Sequence, residues 1–253
     1  MTTNSENQNL IERLFTAGAH FGFSKSRRHP TMKPFLFGNK QGTDIFDLEK
    51  TAVLLEEAKV ALKEAGSNGK KVVFVGTKDE VSIAVKACAE KVEAPYVVNR
   101  WIGGMLTNFS EIKKRINRLI QLTEEGESGE LERKYTKKER VVIGREAEKL
   151  SFNFGGIKTL DRTPDMMLVV DPRHDHIAVT EAKEKGIPVV AIMSSDNNVS
   201  VAKYPVIVND TLQASVNLAL DELTAAYAEG AATYVPKAPA RPSTNRRHRE
   251  NAA

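Results

Sequence analysis

Short apolar runs alternate with amphipathic patterns along most of the chain. Five runs are rich in β-branched residues and are separated by segments of helical periodicity: "KVVFVGT", "PYVVN", "MMLVVD", "PVVAIM" and "YPVIVN". Continuous apolar runs of this length are typical of strands that are buried on both faces of a parallel sheet. The alternation therefore predicts an α/β fold, a Rossmann-like parallel sheet with helices on both faces.

The first third of the chain adds two helices and a hairpin. Residues 9–20 place Leu10, Leu14 and Ala17 on one helical face, and a longer helix up to Gly66 repeats apolar residues at 3–4 spacing. Between them, "FLFGNKQGTDIFD" predicts two short strands around a Gly-containing turn. The stretch before this hairpin, "SKSRRHPTMK", is predicted to be a cationic loop.

One segment interrupts the strand–helix alternation. Between Leu106 and Phe152 no strand pattern is present, and two charged helical patterns flank the polar turn "GESGE". Each pattern has a narrow apolar stripe, which predicts an inserted, protruding, antiparallel helical hairpin. We therefore divide the chain into an α/β domain (residues 1–104 and 153–230), a helical hairpin insertion (105–152) and a disordered basic tail (231–253).

Glycine pairs lie at both ends of the predicted hairpin. Gly103-Gly104 stands where the chain leaves the sheet, and Gly155-Gly156 stands where it returns. Glycines permit close backbones and sharp changes of direction. We predict that these four residues shape the hairpin root, with Trp101 as its packing anchor.

The charge is unevenly distributed. The chain carries a net charge of +4, but the residues from 231 onward contain five Lys or Arg and one acid, so the remainder is balanced. A nucleic-acid partner must therefore be argued from local clusters rather than from the overall charge.

Several classes of protein are excluded by composition. No apolar run approaches 18 residues, so no membrane span is expected, and the polar start "MTTNSENQN" lacks the features of a secretory signal. The single cysteine, Cys88, excludes an internal disulfide. Its helical spacing with Val81, Val85 and Val92 favours a buried apolar role over a catalytic thiol.

Nucleotide and metal motifs are weak. Neither a Gly-x-Gly-x-x-Gly fingerprint nor a P-loop is present, although Thr77 and Lys78 follow a strand and could meet a phosphate. The pair His174 and His176 has no matching second ligand pair, so neither a metal nor another cofactor is predicted.

The alternative that these features leave open is a small α/β phospho-ligand or nucleotide-binding enzyme. It would use Thr77, Lys78, Asp171 and Ser194 at the carboxyl edge of the sheet. Asp171, Asp175 and Glu181 could resemble a cluster of catalytic carboxylates, but no nucleophile motif accompanies them. We predict no catalytic residues.

Basic clusters are the stronger indication. They occur in the loop before the hairpin, beside Trp101 and on both helical patterns of the insertion, and cations in several separate segments suit a folded RNA. A single cluster could instead be a solvated helix face with local partners, such as Glu111 with Arg115. The predicted RNA-binding residues are Lys25, Arg27, Arg28, Lys33, Arg100, Lys113, Lys114, Arg115, Arg118, Lys137 and Lys138.

Long ordered motifs between Leu10 and Tyr227 resemble one family. "AGAHFGF", "HPTMKPFLFG", "DIFDLEKT", "NRWIGGMLTNF" and "FGGIKTLDRTPDMMLVVDPRHDHIAV" are similar to the bacterial small-subunit ribosomal protein two, the S-two family. The resemblance implies a structural, RNA-binding protein of translation rather than an enzyme. It implies contact with ribosomal RNA at the head–body junction of the small subunit, in the cytoplasm and away from membranes. The implied protein partners are other small-subunit proteins, with the messenger-binding protein S-one as a candidate.

The chain departs from the family pattern in three places. Phe23 stands where the family usually has histidine, Arg28-His29 replaces Trp-Asn, and Met193–Asn198 replaces Asp-Thr-Asn-x-Asp-Pro. A partner or metal contact built on these loops is not implied for this chain.

Overall fold

The computed structural model describes residues 2–234, with side chains for residues 8–129 and 131–234. The helices are α1 Thr2–Thr16, α2 Leu48–Ser67, α3 Asp79–Lys91, α4 Phe109–Glu127, α5 Glu130–Lys134, α6 Lys137–Phe154, α7 His176–Glu184 and α8 Gln213–Ala232. The strands are β1 Phe21–Ser24, β2 Leu36–Lys40, β3 Thr43–Phe46, β4 Val72–Val75, β5 Tyr96–Val97, β6 Met166–Val170, β7 Val189–Met193 and β8 Tyr204–Ile207.

The main sheet has five parallel strands in the order β5-β4-β6-β7-β8. This confirms the predicted α/β class. Counted along the sheet strands alone, the order is 2-1-3-4-5, a doubly wound arrangement in which the strand order reverses between β4 and β6. In such sheets the crevice at this switch point, outside the carboxyl ends of the strands, is the usual ligand site. The loops after β4 and β6 therefore decide what this edge of the protein can bind.

Successive residues of the central strands face opposite sides of the sheet. Val72 and Phe74 belong to one buried cluster, with apolar residues of α1, α2, α3 and α8. Val73 and Val75 belong to a second cluster, with apolar residues of α4, α6 and α7. Because both faces are covered, every residue of β4 and β6 is buried, which is the reason for their unbroken apolar sequence.

Helices α2 and α8 approach each other closely through two glycines. A Cβ atom at Gly66 would lie 2.5 Å from the carbonyl oxygen of Tyr227, and one at Gly230 would collide with the carbonyl oxygen of Lys63. The hydroxyl of Thr51, also on α2, donates to the carbonyl of Ile207 at the end of β8, at 2.8 Å. These contacts fix α2 and α8 on the same face of the sheet.

A second sheet contains three antiparallel strands in the order β1-β3-β2. The predicted hairpin is β2 and β3, but β1 lies between the predicted first helix and the predicted cationic loop, where the sequence predicted no strand. Strand β1 is four residues long and pairs with β3 about 20 positions further along the chain, so no local periodicity indicates it. The rest of that stretch contains a 3₁₀ helix, Pro30–Phe35.

The helical segment between β5 and β6 also differs in detail from the expectation. The second helical pattern is divided into α5 and α6, because Thr136 starts α6 with a capping box in which its side chain and that of Glu139 bond each other's backbone N–H groups. Helices α4 and α6 contact each other, with Arg118 Nε 3.6 Å from a carboxylate oxygen of Glu146. The buried residues of α4, including Ile116, belong to the same cluster as one face of the sheet. That the segment from residue 105 to 152 protrudes and forms a separate hairpin insertion stays a prediction.

Two predicted boundaries were wrong. Helix α1 begins at Thr2 rather than at residue 9 and ends at Thr16, two residues before the predicted stop at Gly18. Helix α8 continues to Ala232, so a disordered tail does not begin at 231. The remainder of the predicted basic tail, residues 235–253, lies outside the described residues.

Replacing Gly230 by alanine should destabilise the protein. The added methyl group meets backbone of α2, which cannot move without displacing the helix, and overpacking of this kind costs about 1–3 kcal/mol. Gly144 in α6 is the matched control, because a Cβ there meets nothing within 4 Å. Gly144→Ala should leave the free energy of unfolding equal or raise it by up to about 1 kcal/mol through helix propensity. Urea unfolding of both variants measures the difference, and similar effects at both positions would contradict the packing argument.

Candidate nucleic-acid interface

The turn that precedes α4 is organised around one carboxylate. Glu181, on α7, is buried and accepts five hydrogen bonds from residues 101–107. Its Oε1 accepts from Trp101 Nε1 at 3.2 Å and Gly104 N at 2.8 Å. Its Oε2 accepts from Leu106 N at 2.9 Å and from both N and Oγ1 of Thr107 at 3.1 Å. The predicted anchor, Trp101, therefore acts through a hydrogen bond as well as through packing.

The environment of Glu181 keeps it ionised. Burial raises the pKa of its carboxyl group, but the hydrogen bonds from the backbone of residues 104–107 and from Trp101 outweigh this, so the pKa lies below its ordinary value. Hydrogen bonds to a charged acceptor are stronger than neutral ones. Glu181 is about 80 positions from its partners, so no local sequence pattern could have identified it.

Two of the four glycines at the predicted hairpin root require the absence of a side chain. Gly104 has φ of +90° and donates its N–H to Glu181. A Cβ at Gly156 would collide with the carbonyl oxygen and ring of Tyr96 on β5. Gly103 has no neighbour within 4 Å of a Cβ, and Gly155 has only an ordinary contact with Ser151. Among the four root glycines, only Gly104 and Gly156 therefore have a structural reason to be glycine.

At the switch point of the sheet, donors that follow β4 are paired with carboxylates that follow β6. After β4, the N and Oγ1 of Thr77 donate to the carboxylate of Asp175, at 3.2 and 2.7 Å. Lys78 Nζ lies 3.4 Å from Asp171 Oδ2, after β6. Burial raises the pKa of Asp175, an effect that the bonds from Thr77 partly offset. The donors that a phosphate would need here are occupied by carboxylates, and Ser194, the remaining residue of the enzyme alternative, is buried.

Asp210 is a buried carboxyl group beside this crevice. It has no exposed surface, and neither of its oxygens has a hydrogen-bond partner in the described structure. Burial raises its pKa to about 7, and the nearby charges of Asp171 and Asp196 add to the effect while Lys78 opposes it. No local sequence pattern indicates this group, because the charges that act on it come from loops after different strands.

The predicted RNA-binding cations fall into two sets. In four of them the charge is already engaged: Arg28 with Asp44 at 3.6 Å, Lys113 with Asp161 at 3.2 Å, Lys114 with Glu111 at 2.6 Å and Arg118 with Glu146 at 3.6 Å. The other seven are exposed and have no ion pair within the described residues: Lys25, Arg27, Lys33, Arg100, Arg115, Lys137 and Lys138.

The seven exposed cations lie on separate elements. Lys25 and Arg27 follow β1, Lys33 lies in the 3₁₀ helix, and Arg100 follows β5. Arg115 lies on α4, and Lys137 and Lys138 lie in the first turn of α6. Glu111 pairs with Lys114 rather than with Arg115, which leaves Arg115 available. This set presents positive charge from several parts of the surface.

The chain matches the family described as Ribosomal protein S2 over residues 14–230. The chain belongs to this family. A relative named small ribosomal subunit protein uS2 from Solidesulfovibrio magneticus is 40% identical over 222 residues, which cover 88% of this chain and 86% of the relative. The uS2 of Helicobacter hepaticus is 42% identical over 217 residues, with 86% and 82% covered. The resemblance predicted from the motifs is confirmed.

S2 proteins are structural proteins of the ribosome rather than enzymes, in agreement with the prediction. In this S2 chain, the pairing of Thr77 with Asp175 and of Lys78 with Asp171 occupies the donors that a phosphate would need at the switch point. Within residues 2–234, no helix combines the length and apolarity needed to cross a bilayer. In the same part of the chain no three His, Cys, Asp or Glu side chains are arranged to hold a metal ion. The exposed His174 and His176 stand on either side of the buried Asp175, at the start of α7.

Replacing Glu181 by glutamine should lower the free energy of unfolding of this S2 chain by about 2–4 kcal/mol at pH 7, because an amide NH₂ would face N–H donors. The folded-state pKa of Glu181 is depressed, so its stabilisation is complete above about pH 4.3, the unfolded value, and is lost as pH falls through the folded value. Urea unfolding from pH 7 to pH 3 should show the variant approaching the wild type in acid. Glu184→Gln, at an exposed position of α7, is the control and should change little.

Replacing Asp210 by asparagine should have the opposite pH dependence. The folded protein holds the Asp210 proton up to about pH 7, whereas the unfolded chain releases it near about pH 3.9, so the free energy of unfolding falls as pH rises between these values. The decrease amounts to about 4 kcal/mol or less at about 1.4 kcal/mol per unit. Asp210→Asn should therefore be more stable than the wild type at pH 8, with the difference shrinking toward pH 4. A difference that does not vary with pH would contradict a raised pKa.

Proposed function

We propose that this chain is a structural constituent of the small ribosomal subunit that binds ribosomal RNA at the head–body junction. Family membership supports the assignment to the small subunit, because the relatives are named small ribosomal subunit proteins. The observation that carries the RNA contact is the set of seven exposed cations without ion pairs, spread over separate loops and helices. Folded RNA presents phosphates in several directions, so a surface of this kind matches it better than a single groove would.

The exposed cations, rather than the paired ones, make the phosphate contacts. A cation that leaves an ion pair to bind a phosphate must first lose its carboxylate partner, which reduces the net gain. Arg28 is the clearest case, because it pairs with Asp44, whose side chain is completely buried. Removal of Arg28 would leave this buried carboxylate with a hydrogen bond from Asn39 Nδ2 but no opposite charge. Arg28 thus holds the basic loop in place while Lys25, Arg27 and Lys33 face the RNA.

The helical segment supplies a second contact region. Residues 105–152 form a hairpin arm inserted between residues 1–104 and 153–230 of the α/β domain, and Lys137 and Lys138 start the returning helix. Helix α6 has 18 residues, so its first turn lies on the order of 25 Å from its last, which adjoins the sheet. The arm thereby carries cations away from the domain toward RNA that the sheet domain does not reach. The basic tail adds a further contact.

The remaining partners follow from the same location. The chain resides on cytoplasmic ribosomes and contacts other small-subunit proteins, with the messenger-binding protein S-one as a candidate. The nucleotide-binding enzyme gains no supporting observation, because Thr77 and Lys78 are bound by carboxylates.

Charge reversal at Lys25, Arg27 and Lys33 should weaken binding to small subunits that lack this protein. The loss of three phosphate contacts should make the slope of log K against log [salt] less negative by about 2–3. Sedimentation at several salt concentrations measures both quantities. Arg28 is left unchanged so that folding is preserved.

The matched control is charge reversal at Lys70, Lys183 and Lys185. These lysines are exposed, lack ion pairs within the described residues, and lie near the amino ends of β4 and β7. The control has the same net charge as the first variant and should bind like the wild type. Equal weakening of both variants would show a dependence on net charge alone, and a wild-type chain that stays free of the subunit would refute the proposed function.

A further inference from the structure

A cationic cleft lies at the carboxyl edge of the main sheet, apart from the helical segment. It consists of two adjoining cavities of about 540 and 670 Å³. Arg27, Arg173, His176 and Asp196 contribute to the walls of both. We call this pair of cavities the carboxyl-edge cleft. Of the predicted RNA-binding residues, Arg27 and Arg28 line it. Arg173 was not predicted from the sequence, and the histidines were considered there only as metal ligands.

The loop after β6 is held in a strained conformation that shapes the cleft. Asp171 has φ of +58°, which a non-glycine residue adopts at a cost of about 1–3 kcal/mol. Its N–H donates to the carbonyl of Ile192 at 2.9 Å, and its Oδ1 accepts from the N–H groups of Arg173 and His174 at 3.2 and 3.3 Å. Strain of this kind persists where surrounding contacts over-determine the backbone, and it is concentrated at binding sites.

This loop conformation places acidic side chains in the interior and basic side chains at the surface. Asp171 and Asp175 are buried, whereas Arg173, His174 and His176 between and after them are exposed. The acids at this edge are already bound by Lys78 and Thr77. Asp171 and Asp196 are also part of the cleft wall, and each is paired with a cation, Lys78 and Arg173 respectively. The exposed side chains between and after the buried acids, Arg173, His174 and His176, provide the donors at the opening.

Arg173 and Arg27 offer unused hydrogen-bond donors. Arg173 donates through Nη1 to Asp196 at 2.7 Å, yet its side chain remains 61% exposed. A guanidinium has five N–H donors, so the remaining ones are available for a second oxyanion. Arg27 has no ion pair within the described residues. Two guanidinium groups on opposite loops thus face the same opening.

An aromatic ring lies beside these guanidinium groups. Arg27 lies over the ring of Phe23, with its guanidinium carbon 5.8 Å from the ring centre, and Phe23 lines the larger cavity. The N–H of Phe23 donates to Ser195 Oγ at 2.8 Å, which ties β1 to the loop after β7. Unpaired RNA bases bind by stacking on aromatic rings and guanidinium planes while their phosphates bind cations.

We propose that the carboxyl-edge cleft binds an unpaired nucleotide of the ribosomal RNA, with its phosphate on Arg173 and Arg27 and its base against Phe23. This inference rests on the proposed function and adds to it the form of RNA recognised, a single-stranded or looped-out position. A free nucleotide fits this cleft less well. The donors of Thr77 after β4, which would bind its phosphate in such a sheet, already donate to Asp175.

The test uses the full chain and a single-stranded eight-nucleotide oligouridine, with an RNA duplex of equal length as comparison. Fluorescence anisotropy at several salt concentrations gives the affinities. The variant Arg27→Gln with Arg173→Gln should bind the single strand about tenfold more weakly, with a salt slope reduced by about 1. Phe23→Leu should reduce the affinity at least about fivefold through lost stacking, with little change in salt slope. The control Lys183→Gln with Lys185→Gln should bind like the wild type.

The outcomes separate this inference from the proposed function. Single-strand binding that the Arg27 and Arg173 changes leave intact would overturn the inference, even if the wild type still joins the small subunit. Competition by uridine monophosphate as effective as by the oligonucleotide would also overturn it, in favour of a free-nucleotide site. Failure of the wild type to join small subunits would instead refute the proposed function. Urea unfolding of each variant, with unchanged midpoints expected, shows that lost binding is not lost folding.

Discussion

The hydrogen bonds to Glu181 are the constraint on which the arrangement of the two halves of the chain depends. One buried carboxylate on α7 gathers five donors from the turn that ends the first half and begins α4. Each donor alone would be an unsatisfied buried or half-buried polar group, and the carboxylate alone would be an uncompensated charge. Together they fix the turn of residues 101–107 against α7, and α4 begins directly after this turn.

The pairing of donors with carboxylates inside the protein also explains why a doubly wound sheet serves here as a scaffold. In related architectures, the switch-point crevice is open and its N–H groups bind the phosphate of a ligand. Here Asp175 takes that position against Thr77, and Asp171 neutralises Lys78. The charges that remain exposed are on the loops around the crevice. The donors still available at this edge are therefore those of the open cleft around Arg27 and Arg173, which faces outward and suits a protein that is assembled into a larger particle.

Periodicity was sufficient to predict the five strands of the main sheet and most helices. In each of these elements, the spacing of apolar residues within its own sequence reveals which side chains are buried. It did not find β1, whose pairing is non-local, nor the break at Tyr135, where the capping of α6 by Thr136 outweighs a continuous helical pattern. The candidate interface was predictable only in part. Lys113 and Arg115 are equivalent in sequence, but Asp161, which pairs with Lys113, comes 48 positions later along the chain. Charge pairing between distant segments decides which cations are available, and composition contains no information about it.

The close packing of α8 on α2 has a consequence for the order in which the protein is made. The two helices are separated by about 150 positions, and β4 to β8 are all synthesised between them. Until α8 leaves the ribosome that is translating it, the parts of α2, α3 and the sheet that α8 covers stay exposed, although α1, α2 and α3 already lie on this face. Contacts of such high sequence separation form slowly. The packing of this face is therefore completed only after α8 has been synthesised, late in the chain.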